Sequence, residues 1–283
     1  MQAEDAAPFT AVAGPGAIGG TLAVSLRRAG ERVLLVGRSL ARPRRRPGCR
    51  AVLLCVKAAG LRWALHATRG LVGPATPVVS LINGVTHVHP VLKAYGPARA
   101  VFGVCHIAAL RTGTTIRHMG GRDIVLAETP ANRAACRQAQ TLLGKGGWRV
   151  RTVPSVERLL WTKLIHNAAI NPLGALTRKT NGQLAAEPAL RDLLVRVADE
   201  AAAVAKAAGH PSLDANPARS ILRGCAAAPR QINSMAQDLA AGRPTEADAI
   251  LRPLLRAARK AGRATRYLEP LYRMIRHLES SQP

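Results

Sequence analysis

A short apolar strand, Phe9-Thr10-Ala11-Val12-Ala13, runs straight into Gly14-Pro15-Gly16-Ala17-Ile18-Gly19-Gly20. Residues 17–29 then carry Ile18, Leu22 and Leu26 at helical spacing. Glycines at this spacing are a weak signal alone. Between a strand and a helix they mark a dinucleotide-binding loop and commit the chain to an α/β sheet. Gly14 permits the tight turn, Gly16 lets the backbone approach a pyrophosphate, and Gly19 lets helix and strand pack closely. The helix N-terminus at Ala17 and Ile18 attracts the anion.

The pattern continues in kind. Residues 32–36, the continuous apolar run 51–56 and residues 77–82 read as further strands, with a helix over 59–70. Residues 101–110, 114–117 and 123–126 read as strands joined by tight glycine turns, and a helix at 131–143 and a strand at 148–152 follow. From Ser155 onward every segment reads as helix, punctuated by prolines. Strands alternating with helices, then helices alone, predict two parts. A Rossmann-type, mostly parallel sheet domain spans 1–153, and an all-helical substrate domain spans 154–283.

One connection is short. Residues 38–50 join the second strand to the third, interrupted by Pro43 and Pro47 and crowded with Arg38, Arg42, Arg44, Arg45, Arg46 and Arg50. Thirteen extended residues reach about 43 Å, enough to cross the sheet edge but not to add a helix as well. The spacing therefore predicts a sheet lacking one βα unit after its second strand.

Composition narrows the partners. Lys and Arg total 41 against 16 Asp and Glu, a net charge of +25, yet aromatics make up only 3% of the chain. A nucleic-acid partner would suit the charge but not the scarcity of stacking rings, so nucleic acid is disfavoured. Five cysteines without a C-x-x-C pair argue against a disulfide framework and a metal site, and for a reducing, cytoplasmic setting. No membrane span or signal peptide is expected.

The chemistry-bearing residues fall into two sets. Where an NAD enzyme carries an acidic residue after the second strand, this chain has Arg38, whose guanidinium suits the 2′-phosphate of NADP. Lys57 and Asn83 follow the third and fourth strands, where ligands of open α/β sheets bind. In the helical half, Lys163, Asn167 and Asn171 recur every four residues on an otherwise apolar helix, so one cation and two amides share a face. A lysine held partly out of water gives up its proton readily, which makes Lys163 the candidate acid for reducing a ketone. His166 neighbours that face as a rival acid, although a histidine satisfied within the fold is the plainer reading. Farther on, Ser234 can donate to a carboxylate and Glu246 can accept from a hydroxyl. The segment from Thr245 to Asp248 can equally be a helix cap.

Together these pieces resemble the ketopantoate reductase (2-dehydropantoate 2-reductase) family over almost the whole chain. The matching segments are G-P-G-A-I-G-G, G-R after the second strand, C-V-K-A, I-N-G-V, W-T-K-L-I-H-N-A-A-I-N-P-L, T-N-G, N-S-M-A-Q-D and P-T-E-A-D. The resemblance implies NADPH-dependent reduction of 2-dehydropantoate to pantoate, on the way to pantothenate and coenzyme A. It implies Lys163 as general acid and Glu246 as partner of the substrate hydroxyl. Asn83, Asn167, Asn171, Asn181 and Ser234 would complete the substrate and cofactor contacts, in a cleft between the two domains. A homodimer is compatible with it. The chain departs from the family's pattern in its short 38–50 linker and in Ile250-Leu251-Arg252 after Asp248. The alternatives are a reductase of another 2-oxo acid on the same scaffold, or a homologue that binds nucleotide or nucleic acid without catalysis.

Overall fold

Strand β1 (Phe9–Ala13) is buried along its whole length, as the centre of a two-sided sheet requires. The computed structural model describes residues 7–40, 47–210 and 212–281, so Arg42, Arg44, Arg45 and Arg46 of the arginine run lie outside the described residues. Helix α1 (Ala17–Arg28) follows β1, and strands β2 (Val33–Val36), β3 (Cys49–Leu54) and β4 (Val78–Ser80) come next. Helix α2 (Leu61–Thr68), flanked by short 3₁₀ turns, lies between β3 and β4. Helix α3 (Val88–Tyr95) precedes the long strands β5 (Ala100–Thr112) and β6 (Thr115–Ala127), and helix α4 (Arg133–Lys145) leads to β7 (Arg149–Val153).

The sheet order is β2-β1-β3-β4-β5-β6-β7, with only the β5–β6 pair antiparallel. Among the described residues β2 is an edge strand, and the linker between Val36 and Cys49 holds no helix or strand. That is the sheet shortened by one βα unit that the spacing predicts. The fold is the expected Rossmann-like sheet followed by helices. Side chains from β1, β3, β4, β5 and β6 meet α1 and α4 in one core built around Leu22, Leu53, Val101, Leu126 and Leu143.

Two local expectations need correction. The segments 114–117 and 123–126 are not separate strands but parts of β6. Gly120 and Gly121 form a bulge inside it, where the register with β5 shifts around Ala108. Gly121 has φ +71, and a Cβ there would lie 2.1 Å from the His106 carbonyl oxygen. The true turn is Gly113-Thr114, where φ +58 at Gly113 suits a type II′ hairpin. Helix α3, absent from the sequence reading, packs Val91 and Tyr95 inward on one face of a single short amphipathic stretch.

The chain divides into two compact units, one of residues 1–82 and 86–156, the other of 83–85 and 157–283. The second holds α5 (Val156–Thr177) from Glu157 onward, with α6 (Asn181–Ala186), α7 (Pro188–Ala207), α8 (Pro217–Ala227), α9 (Ser234–Ala240), α10 (Ala247–Lys260) and α11 (Leu268–Ser280). Helix α5 buries apolar side chains on most of its circumference, apart from the face of Lys163, Asn167 and Asn171 and the polar residues of its first turn. Leu164, Ile165 and Leu173 are fully enclosed, each stabilising the unit by roughly 1.5–3 kcal/mol. Helix α7 caps a distant neighbour: the Glu200 carboxylate accepts from the backbone N–H groups of Arg266, Tyr267 and Leu268 at the start of α11. Among the described residues no helix is long and apolar enough to cross a membrane.

Candidate active site

The glycine loop of the first unit is shaped by what its glycines exclude. Gly14 has φ +89, and a Cβ there would lie 2.7 Å from a methyl of Val56. A Cβ on Gly19 would sit 2.2 Å from the Gly14 carbonyl oxygen and 2.9 Å from the Cys55 Cβ, so the helix start is pressed onto the end of β3. At Gly16 a Cβ would meet nothing within 4 Å. This open position leads into a helix start with no side-chain cap and no acidic residue in its first turn. The loop thus fits the phosphates of a dinucleotide: the Ala17 and Ile18 N–H groups belong to the first turn of α1, which has no carbonyl of its own helix to donate to, and the approach at Gly16 is open. Arg38, two residues beyond β2, and Lys57, three beyond β3, are both exposed.

In the second unit, Lys163, Asn167 and Asn171 lie on successive turns of α5. Lys163 is half-buried, whereas Asn167 and Asn171 are 8% and 5% exposed. Buried amides at this depth need partners. Asn167 Nδ2 donates to Asn83 Oδ1 at 3.5 Å, and Asn83 Nδ2 donates to Glu246 Oε2 at 2.8 Å. A helix, the segment after β4 and the start of α10 are thereby joined in one polar chain. Gly84 (φ +88) makes the approach possible, because a Cβ on it would lie 2.5 Å from the Ala249 carbonyl oxygen. Val85 then packs into the helical core.

The remaining candidates are placed less directly. Asn181 opens α6, 7% exposed, and its Oδ1 is a buried acceptor with no hydrogen-bond partner among the described residues. Ser234 is exposed at the first position of α9. Among the described residues no hydrogen bond joins Asn181 or Ser234 to the Asn83–Glu246 chain. Asp248 is turned to α11, where its carboxylate accepts from Tyr272 Oη at 2.8 Å. Thr245 Oγ1 accepts from the Ala247 N–H at 3.1 Å, so that segment does act as a helix start.

His166 is satisfied within the fold. Its Nε2 lies 2.6 Å from Asp214 Oδ2, and this bond holds the Asp214 carboxyl below its ordinary pKa. The same segment fastens to α5 at two more points. The Leu213 N–H donates to Thr162 Oγ1 at 2.7 Å, and His210 stacks on Trp161 with ring centroids 4.1 Å apart. These contacts fix the rotation of α5.

Asn233 was not singled out by the sequence, although its neighbour Ser234 was. It is 4% exposed, caps α9 by accepting from the Ala236 N–H at 3.0 Å, and fills the space left by Gly174. An Asn followed by a helical run was the available signal. A second cap was also legible: Thr180 and Gln183 form a reciprocal capping box at the start of α6.

Comparison with known proteins identifies the family and the fold. The family model for ketopantoate reductase PanE/ApbA matches residues 10–51 and 41–131, and that for the ketopantoate reductase PanE/ApbA C-terminal part matches 155–279. The 2-dehydropantoate 2-reductase of Pyrobaculum aerophilum is 32% identical over 201 residues, 70% of this chain and 68% of that protein. The Vibrio cholerae 2-dehydropantoate 2-reductase is 27% identical over 292 residues, 95% of this chain and 97% of that one. The crystal structure of a PanE/ApbA family ketopantoate reductase from Ralstonia eutropha, 27% identical, superposes with a TM-score of 0.82 over 97% of this chain and 99% of its own. A D-mandelate dehydrogenase solved with NADH and anilino(oxo)acetate, 20% identical, shares the fold with a TM-score of 0.83 over 97% of this chain and 99% of its own.

Proposed function

The chain belongs to the ketopantoate reductase family, a family of nicotinamide-dependent reductases, and on that premise we propose that it reduces 2-dehydropantoate to pantoate with NADPH. The observation that carries this reading is the polar chain from Asn167 through Asn83 to Glu246, whose Asn167 lies one turn along α5 from the half-buried Lys163.

Bound NADPH supplies the hydride; the protein's part is to hold the substrate and manage one proton. Lys163 gives its proton to the ketone oxygen as negative charge gathers there. Asn167 and Asn171, one and two turns along α5 from Lys163, hydrogen-bond the substrate's oxygens. Glu246 accepts from the substrate hydroxyl, while Asn83 occupies Oε2 and so aims the carboxylate. Asn181 and Ser234 complete the substrate contacts. Gly14, Gly16, Ala17, Ile18 and Gly19 receive the dinucleotide phosphates, Arg38 pairs with the 2′-phosphate, and Lys57 and Asn83 lie on the nicotinamide side. Arg38 supports NADP over NAD because a guanidinium grips a phosphate bidentately where an acidic side chain would repel it. In this reading residues 1–153 bind cofactor and 154–283 bind substrate. Pantothenate synthesis in the cytoplasm is the setting that matches it.

The test is NADPH oxidation by purified protein with 2-dehydropantoate, beside Lys163→Ala. Turnover in the wild type that falls about 10²–10⁴-fold in the variant supports both the reaction and the acid. NADPH binding without turnover moves the assignment to another 2-oxo acid. The absence of both binding and turnover overturns the reading.

A further inference from the structure

Arg111 stands near the far end of strand β5, yet it bonds back to the glycine loop. Its Nη1 donates to the Pro15 carbonyl oxygen at 2.9 Å, and its Nε donates to the Gly113 carbonyl oxygen at 3.0 Å. A second contact seats the same hairpin on α1. Ile116 lies against Gly20, where a Cβ would come within 2.0 Å of the Ile116 Cδ1. The last glycine of the Gly14–Gly20 stretch is therefore explained by the hairpin rather than by the loop's own turn.

The charge arrangement is unfavourable as it stands. A cation is stabilised at the carboxyl end of a helix, where the peptide dipoles leave negative charge, and disfavoured at the amino end. Arg111 is held beside the amino end of α1, whose first turn contains no acidic residue. Its two acceptors are neutral carbonyls, and among the described residues it belongs to no ion pair. An anion between the guanidinium and the helix start would satisfy both at once. Two backbone acceptors already fix the guanidinium, so little side-chain freedom is lost on binding, and the fork keeps further N–H groups to offer.

We propose that Arg111 is a phosphate ligand of the bound dinucleotide, closing the β5–β6 hairpin over the diphosphate at the Gly14–Gly16 loop. This rests on the nucleotide-dependent reading given above. It is a role separate from Arg38, which stands beyond β2 and discriminates the 2′-phosphate. The diphosphate is common to NADPH, NADH and ADP-ribose, so the two arginines differ in what their loss does.

The experiment titrates wild type, Arg111→Gln, Arg111→Lys and Arg38→Gln with NADPH, NADH and ADP-ribose at several salt concentrations. Arg111→Gln should raise all three Kd values by a similar factor, about tenfold, and weaken their dependence on salt. Arg111→Lys should recover part of the loss, and Arg38→Gln should affect NADPH alone. Unchanged Kd values in Arg111→Gln overturn the proposal. So does an affinity loss with undiminished salt dependence, which would mean that Arg111 only fastens the hairpin. If the wild type binds none of the three ligands, the nucleotide reading itself falls, and the inference with it.

Discussion

Asn83 and Glu246 are 163 residues apart in the chain, yet the Asn83 amide donates to the Glu246 carboxylate at 2.8 Å. Neither residue stands out in its own segment. Asn83 reads as half of an Asn-Gly turn, and Glu246 as one acid in a helix start. The bond converts them into a single device, because a charge-assisted hydrogen bond from the Asn83 amide holds the Glu246 carboxylate in a defined orientation.

Removing that bond should therefore cost activity more than stability. Asn83→Ala leaves both Glu246 and Asn167 short of a partner, and kcat/KM for 2-dehydropantoate should fall about 10–100-fold. Glu246→Gln still accepts from Asn83 through its amide oxygen but loses the charge. Its unfolding temperature should stay near the wild-type value while KM for the substrate rises. Steady-state kinetics beside thermal unfolding of both variants checks this.

The glycine loop allows a sharper contrast. Gly16→Ala adds a methyl that meets no atom of the protein within 4 Å, whereas Gly19→Ala places one 2.2 Å from the Gly14 carbonyl oxygen. Gly16→Ala should fold normally and lose NADPH affinity, since the methyl stands where the phosphates approach. Gly19→Ala should lose about 1–3 kcal/mol of stability in denaturant unfolding.

A similar contrast holds between helices α5 and α8. A methyl on Gly174 would lie 2.1 Å from Asn233 Nδ2 and displace the cap of α9. Gly174→Ala should cost about 1–3 kcal/mol. Gly224 lies in α8 with nothing within 4 Å of its would-be Cβ. Gly224→Ala should instead stabilise the protein by about 0.5–1 kcal/mol, through the helix preference of alanine. Urea unfolding of the pair decides.

His87 makes stability depend on pH. It is fully buried beside Phe102, neither ring nitrogen has a hydrogen-bond partner among the described residues, and burial lowers its pKa from 6.5 to about 4. The unfolded chain takes up a proton at the higher value and the folded one only at the lower. Stability should thus fall as pH drops from 6.5 towards 4, by about 3 kcal/mol in all. His87→Phe should flatten that slope while changing stability little at neutral pH. Equilibrium unfolding at a series of pH values would show either outcome.

The features legible in the sequence are those with a local cause. Glycines at 14, 16 and 19 announce the loop because strand, turn and helix are contiguous. Lys163, Asn167 and Asn171 share a face because a helix turns once in 3.6 residues, whatever packs around it. The short linker after β2 betrayed the missing βα unit because chain length bounds reach. What only the tertiary structure decided involves partners distant in sequence. Gly20 makes room for Ile116, Gly174 for Asn233, and Gly84 for the Ala249 carbonyl. Gly120 and Gly121 read as a turn but form a bulge, because their strand continues in pairing with β5 on both sides. Periodicity specifies which way a side chain points; only the packed chain specifies what it meets.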